Sequence, residues 1–310
     1  MLSRIADAHF WMTRYVERTN GILRMLRVNL ITSLDRSADF SWKPVLELYT
    51  ELDSEGVAQL AGSSDEVLRF IIFNRNNNNS LRNLLSKARE NARGMQDHVP
   101  REVWECLNAL YHQINHPDIE QAIDRGEPIV MLGTLLDHTL LFNGVAEANM
   151  PRGQGWHFMN MGKFIERGIQ TANILDIRFR NINYDLNNPS DIPYWRNLLL
   201  SLSGYELYLK RYRAGLQSRN VADMAILNGD FPRSILYCVS RLDKTIRDLS
   251  IEDPELTRSL QRVSGRLRSK VEYADMDSIA TEGLHHFLID IKNDIYHFSN
   301  LLARTFFAYY

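Results

Sequence analysis

The sequence contains the same short pattern of reactive side chains twice. The stretch MTRYVERTN lies near the start, and MGKFIERGI follows 149 positions later. In both, a basic residue, an aromatic, an aliphatic and Glu-Arg recur in the same order. Guanidinium and ammonium groups can bind a carboxylate or a phosphate, and a glutamate can accept hydrogen bonds from backbone N–H groups. The charged residues of the two copies are Arg14, Glu17, Arg18, Lys163, Glu166 and Arg167.

The first copy lies on a segment whose apolar residues recur at every third or fourth position, which predicts a helix of about thirty residues. Glu17 and Arg18 face away from the main apolar stripe of this helix. Phe10, Trp11 and Met25 share their side, so the helix is apolar nearly all round. Charges in such a place need partners, because an unpaired buried charge costs several kcal/mol.

Two hypotheses explain the Glu-Arg pairs. Adjacent Glu and Arg do not face each other on one helix, so their partners lie elsewhere. In the preferred hypothesis they form a buried electrostatic clasp between two halves of the protein, Glu17 with Arg167 and Glu166 with Arg18, or each glutamate holds loop backbone. In the second, the basic residues of both motifs bind a carboxylate or a phosphate.

Further landmarks repeat at nearly the same distance. Trp42 and Trp195 are 153 positions apart, and Ser80 and Ser234 are 154 apart. The preserved order predicts an internal duplication, since a repeat of this length exceeds the roughly 20 to 50 residues of solenoid units.

The fold class predicted from the apolar spacing is all-α, because sustained alternation of apolar and polar residues is absent. We expect about twelve helices, with Ser63 and Glu66 at capping-box spacing at the start of one of them. The helices are predicted to form two similar halves, 1–148 and 149–310, packed about a pseudo-two-fold axis into one compact unit.

Composition narrows the classes of function. The chain has 310 residues, 45% of them hydrophobic, and a net charge of -2, which gives no overall field to attract nucleic acid or an anionic membrane. Cys106 and Cys238 belong to no metal or redox spacing and fit reduced thiols. The start lacks the pattern of a signal peptide, and Asp137 and His138 interrupt the most apolar run. We therefore expect a cytoplasmic protein without nucleic-acid or membrane partners.

Three stretches resemble the alpha-E family, a bacterial all-helical family named for its Glu-Arg motif: MLSRIADAHFWMTRYVERTNGILRML, MPRGQGWHFMNMGKFIERGIQTANILDIR and FPRSILYCVSRL. The resemblance covers essentially the whole chain. It implies neighbours of the ATP-grasp ligase-like, transglutaminase-like and proteasome-like kinds and a part in peptide synthesis or modification, but no reaction. The residues that support the motif are Trp42, Met150, Arg152, Trp156 and Trp195.

Metal and catalytic motifs are weak. Glu282 and His285 have the Glu-x-x-His spacing of di-iron bundles, which need a second copy that the sequence lacks. One helix is predicted to carry Glu282, His286, Asp290 and Asp294 at steps of four, with His297 close behind; a solvated polar face is preferred to a metal site. His138 and His157 are interpreted as hydrogen-bonded core or interface histidines. No cofactor, metal or catalytic residue is predicted.

A cationic ribbon is predicted on one helix of the second half. Its residues recur every four positions, and a solvated face is the first interpretation, with docking of an acidic partner or peptide the second. No aromatic residues alternate with the ribbon, which disfavours nucleic acid. The ribbon residues are Arg258, Arg262, Arg266 and Lys270.

The function predicted from these features is that of a non-catalytic helical subunit or scaffold, working with an ATP-grasp ligase-like partner in peptide synthesis or modification. The alternative is an enzyme that acts on a peptide or amino-acid carboxylate in a cleft between the halves. A pocket at the Glu-Arg pairs that holds a titratable group of perturbed pKa would favour the enzyme.

Overall fold

The computed structural model of the protein describes residues 3–35, 40–188, 192–213, 215–249 and 254–307. These residues form sixteen α-helices and one short 3-10 helix, and they contain no strand. The all-α prediction is confirmed, but the expected number of about twelve helices was too low. Five of the helices have only seven or eight residues. A helix of this length makes only about two turns, so it contains too few apolar positions to reveal a helical period in the sequence.

The helices follow one another with short connections. In the first part of the chain they are α1 (Ser3–Ser33), α2 (Lys43–Tyr49), α3 (Ser54–Leu60), α4 (Ser64–Phe73), α5 (Leu81–Gly94), α6 (Arg101–Asn115), α7 (Pro117–Asp124) and α8 (Pro128–Asn149), with the 3-10 helix at Gln96–His98. In the second part they are α9 (Gln154–Arg180), α10 (Ile192–Ser201), α11 (Tyr205–Arg211), α12 (Ser218–Leu227), α13 (Ile235–Asp248), α14 (Pro254–Glu272), α15 (Met276–Glu282) and α16 (Leu284–Phe306).

The chain divides into two compact units. One is Trp11–Pro151, in which α6 packs against α5 and α8, and α4 packs against α5 and α7. The other combines Met1–Phe10 with Arg152–Tyr310, and there α13 packs against α9 and α14, while α16 packs against the same two helices. The boundary falls inside α1, whose 31 residues agree with the helix predicted from the apolar stripe.

Serine residues are the N-caps of three helices that carry the candidate site or pack beside it. Ser63 accepts a hydrogen bond from the Glu66 N–H at 3.3 Å, as the capping spacing predicted. Ser80 and Ser234 cap α5 and α13 in the same way. Because each cap satisfies an N–H that has no partner within its helix, it fixes where the helix begins.

Helix α8 is long and apolar enough to cross a membrane by length and composition alone, and 39% of its most apolar window is buried. It is the single helix of this kind in the described parts of the chain. Core helices of globular domains meet the same criteria, so this feature by itself does not assign a location.

Candidate functional site

The first Glu-Arg motif lies in the middle of α1. The carboxylate of Glu17 is buried, with 1% of the residue exposed, and Arg14 is buried with its guanidinium carbon 4.7 Å above the centroid of the Trp11 ring. Arg18 is half-buried, and its Nη1 donates to Asn79 Oδ1 at 3.1 Å. The arginine of the motif therefore reaches the loop that precedes α5.

That loop is the asparagine-rich run 74–79, and its own side chains hold its shape. Asn77 accepts from the Asn79 N–H at 3.0 Å, and Asn74 accepts from the Asn76 N–H at 2.8 Å. From α5, the Asn83 side chain donates to two carbonyl oxygens of the run, at 2.8 and 2.9 Å. Asparagine side chains that bond to backbone two residues ahead mimic a turn, so the run presents Asn79 to Arg18 in a fixed position.

The second motif lies on α9 and also anchors a loop, the one that precedes α13. Arg167 Nη1 donates to the Pro232 carbonyl at 3.1 Å, and one turn later Thr171 Oγ1 donates to the Arg233 carbonyl at 2.7 Å. Glu166 is buried and accepts from Gln170 Nε2 at 3.4 Å. In both motifs the arginine thus holds the loop that leads to a serine-capped helix. The first hypothesis gave loop holding to the glutamates, and that version stays a prediction. The clasp between halves stays a prediction.

Aromatic rings and cations surround the second motif. Three cationic groups lie near the Phe164 ring. Their distances to the ring centroid are 5.0 Å for Lys163 Nζ, 5.5 Å for the guanidinium carbon of Arg167 and 5.7 Å for that of Arg241. A second aromatic ring, that of Trp156, lies about two helical turns before Phe164. The guanidinium carbon of Arg152 is 4.0 Å from the centroid of this ring, and Lys163 Nζ is 5.9 Å from it. All of these distances are within the range of cation–π attraction.

The first motif has a corresponding cation that sequence reasoning missed. Lys87 of α5 lies 5.9 Å from the ring of Tyr15, as Arg241 of α13 lies beside Phe164. Lys87 and Arg241 are 154 positions apart, the same separation as Ser80 and Ser234. That shared separation is the signal that could have identified them.

The tryptophans and the methionine predicted to support the motif have structural surroundings. Trp42 is buried and its Nε1 donates to Ser64 Oγ at 2.9 Å, so it joins α2 to the start of α4. Trp195 is fully buried, and its ring lies 4.8 Å from that of Phe179 on α9. Met150 is buried where α8 ends. The remaining two, Arg152 and Trp156, form the cation–aromatic pair already described.

The cationic ribbon lies on α14, and some of its residues already bond to other groups of the protein. Lys270 forms ion pairs with Asp290 at 3.4 Å and Asp294 at 2.8 Å, both on α16. Arg258 donates to the carbonyl of its own first turn at 3.2 Å. The side chains of Arg262 and Arg266 are exposed and make no hydrogen bond or ion pair with any residue that the structure describes. The centre of the ribbon is therefore a solvent-facing positive surface.

The expected single polar helix from Glu282 to His297 was wrong. Glu282 ends α15, and Gly283, with φ 98°, separates it from α16. Only glycine adopts that backbone region without strain, so the helix is interrupted there. His286 Nε2 lies 3.8 Å from Glu282 and 3.9 Å from Asp290, and these three could surround a metal ion, but they are exposed or half-exposed and Asp290 also pairs with a lysine.

His285 belongs to a different cluster, which sequence reasoning missed. Asp176 on α9 accepts from the Tyr184 hydroxyl at 3.0 Å, lies 2.8 Å from His285 Nδ1, and pairs with Lys292 at 3.6 Å. Burial, together with the bond to the carboxylate, raises the pKa of Tyr184 to about 12. Since His285 and Asp176 are 109 positions apart, no spacing rule connects them.

His138, His157 and the two cysteines have surroundings that are structural among the residues described. His138 Nδ1 lies 2.8 Å from the Thr134 carbonyl in its own helix, and burial lowers the pKa of half-buried His157. Burial raises the pKa of the Cys106 thiol, which disfavours the thiolate needed for nucleophilic attack. Cys238 is fully buried.

These features define an all-helical protein whose two longest described helices each carry a buried Glu next to a loop-holding Arg. The chain belongs to the Alpha-E family, described as a predicted alpha-helical domain with a conserved ER motif, and the family model matches residues 1–307. This confirms the resemblance read from the motifs.

Relatives of the chain include two mycobacterial proteins. The uncharacterized proteins Mb2597 of Mycobacterium bovis and Rv2567 of Mycobacterium tuberculosis are each 21% identical to it over 314 residues. The match covers 94% of this chain but 35% of each relative, so the chain spans about a third of the length of these relatives. No solved structure matches the chain significantly.

Proposed function

We propose that this protein is a non-catalytic helical subunit or scaffold that works with an ATP-grasp ligase-like partner in a bacterial peptide synthesis or modification system. The observation that carries the proposal is the centre of the ribbon on α14, where Arg262 and Arg266 are exposed without a bonding partner among the described residues. Unneutralised guanidinium groups on a rigid helix suit an acidic partner surface, which they would attract and orient.

The length of the relatives supports a function that depends on other protein domains. In the mycobacterial relatives the matching region is 35% of the chain, so there the same helical domain is covalently joined to a larger amount of other sequence. A domain that is joined to other sequence in its relatives is suited to act together with a neighbour.

We also propose that the two halves of the helical series arose by internal duplication. In the parts of the chain that the structure describes, each half has eight successive helices, and their lengths correspond in order: 31, 7, 7, 10, 14, 15, 8 and 22 residues in α1–α8, against 27, 10, 7, 10, 14, 19, 7 and 23 in α9–α16. The paired serine caps and the paired cations Lys87 and Arg241 support the same origin.

The setting we propose is the cytoplasm, without nucleic-acid or membrane partners. The support is the small net charge of -2 and the two cysteines, neither of which forms a disulfide in the structure.

Co-purification of the tagged protein from its native bacterium tests the proposal. We expect mass spectrometry to find an ATP-grasp ligase-like protein with the wild type, and to lose it with Arg262→Glu/Arg266→Glu. The matched control is Lys210→Glu/Lys244→Glu, two exposed lysines of α11 and α13 that give the same change of charge. If the control loses the partner equally, or if the ribbon variant retains it, the docking role of the ribbon is wrong.

The alternative function is an enzyme acting on a peptide or amino-acid carboxylate, which the cations around Phe164 favour because they could bind that group. Incubation of the purified protein alone with amino acids, peptides and ATP distinguishes the two. A new product would favour the enzyme over the scaffold.

A further inference from the structure

A cavity is enclosed by the end of α1, the start of α4 and the turn that leads from α7 into α8. Its volume is about 570 Å³, which lies within the range of small-molecule sites. The residues that line it all belong to one compact unit, Trp11–Pro151. The cavity is therefore large enough to hold a small ligand within a single unit of the protein.

Most of the side chains that line the cavity are apolar. Leu30 and Ile123 are buried, whereas Leu34 and Val130 are 65% and 70% exposed. Gly126, with φ 72°, lets the chain turn sharply from α7 into α8, and a Cβ there would meet no atom within 4 Å. A ligand in this space would cover Leu34 and Val130 and so remove apolar surface from water.

The charged residues that line the cavity are both acidic. They are Asp65 and Glu127, whose side chains are exposed and make no hydrogen bond or ion pair with any described residue. The arginines nearest to them in the sequence, Arg69 and Arg125, form ion pairs with other carboxylates. The cavity therefore combines apolar walls with two carboxylates that are available to a cation.

The starts of α4 and α8 act against these carboxylates, because the start of a helix carries a partial positive charge that favours an anion. That charge is about half an elementary charge for each helix. At α4 the Ser63 side chain already accepts a bond from the Glu66 N–H, and α8 begins with Pro128, which has no N–H to offer. Two full negative charges thus exceed two partial positive ones, and the cavity favours a cation.

We propose that this cavity binds an apolar ligand that carries an ammonium group, such as an alkylamine or an arylalkylamine. The apolar part of the ligand lies against Leu34 and Val130, and its ammonium group pairs with Asp65 or Glu127. The cationic ribbon of α14 belongs to the other compact unit and takes no part in this site. Loss of amine binding and loss of partner capture can therefore be observed separately.

Isothermal titration of the purified protein with octylamine, octanol and octanoate, at matched ionic strength and pH 7, tests the site. The three probes share one apolar chain and differ in charge, since an alkylamine is protonated at this pH as lysine is. We expect octylamine to bind about fivefold or more tightly than the other two. Asp65→Asn/Glu127→Gln should lower the affinity for octylamine to about that for octanol, and should leave octanol binding unchanged.

The matched control is Asp97→Asn/Glu102→Gln, which makes the same change of charge at two exposed carboxylates of the same unit that do not line the cavity. It should bind octylamine as the wild type does. Val130→Arg alters an exposed residue, so it should keep the melting temperature while it weakens octylamine binding and strengthens octanoate binding.

Three results would overturn the proposal. The first is that octylamine does not bind the wild type in a saturable way. The second is that octanol or octanoate binds as tightly as octylamine, which would assign a neutral or an anionic ligand instead. The third is that the variant at Asp65 and Glu127 binds octylamine as tightly as the control variant, which would place the bound amine elsewhere.

Discussion

The bond from Arg167 to the Pro232 carbonyl allows a quantitative test of what the Glu-Arg motif does. Arg167→Met removes a charged donor at 3.1 Å and leaves a carbonyl that water can partly reach, since Pro232 is exposed. Hydrogen bonds to charged groups contribute about 1.5 to 3 kcal/mol, so with partial replacement by water we expect a loss of about 1 to 2 kcal/mol. Arg167→Lys keeps the positive charge but not the planar set of guanidinium N–H donors, so it should recover part of the lost free energy of unfolding.

A second variant shows whether the loss comes from the loop. Thr171 is fully buried and donates to the neighbouring Arg233 carbonyl at 2.7 Å, so Thr171→Val should cost about 1 to 3 kcal/mol. Both bonds hold the same loop, and once one is lost the loop can relax away from the other. The double variant should therefore lose less than the sum, with a coupling of about 0.5 kcal/mol or more.

Urea unfolding followed by circular dichroism measures these energies. The same cycle between Arg167→Met and Glu17→Gln gives the opposite test, because loop anchoring predicts additive effects for that pair. A single-variant loss of about 3 to 5 kcal/mol that the second substitution largely recovers would refute the loop reasoning. It would establish instead the clasp predicted from the sequence.

Two further predictions concern stability in the second unit. A Cβ at Gly155 would lie 2.8 Å from Nε2 of buried His9, whose ring is held by the Ile5 carbonyl, so Gly155→Ala should lower the melting temperature; overpacking costs about 1 to 3 kcal/mol. Gly144→Ala meets nothing within 4 Å and should be neutral or stabilising in the same scan, and equal effects would contradict the steric reason. The folded protein holds Tyr184 protonated up to a pKa of about 12, against 10 for the ordinary side chain, so its contribution to stability is complete below pH 10 and is lost as the pH rises towards 12. Urea unfolding of wild type and Tyr184→Phe between pH 9 and 12 should show a shallower decline for the variant, and parallel declines would contradict this assignment.

The fold class could be predicted from the sequence because long helices repeat their apolar positions many times. The apolar periodicity of the first segment predicted the length of α1, and the capping spacing of Ser63 and Glu66 predicted the start of α4. The seven-residue helices could not be recognised in this way. The interruption at Gly283 was missed because the polar residues at steps of four were read as one continuous helix, although a glycine in a helical pattern can also mark a helix end.

The candidate site could be predicted only in part from the sequence, for a related reason. The Glu-Arg pairs were visible because the same pattern recurs, but the partner of Arg167 is a main-chain carbonyl 65 positions away. Every residue offers such a carbonyl, so side-chain identity does not reveal this acceptor. His285 was assigned to a spacing with Glu282, whereas its actual partner is Asp176 on another helix.

The recurrence of the motif is best explained by what each copy positions. In each half, the arginine of the motif holds a loop, and that loop ends at a serine that caps the next helix. Seven residues after each cap, Lys87 or Arg241 returns to the aromatic ring of the motif. Because a seven-residue step is close to two helical turns, the cation faces the same side as the cap that the motif fixed. The basic, aromatic and Glu-Arg positions thus work as one local unit, which requires that all of them recur together.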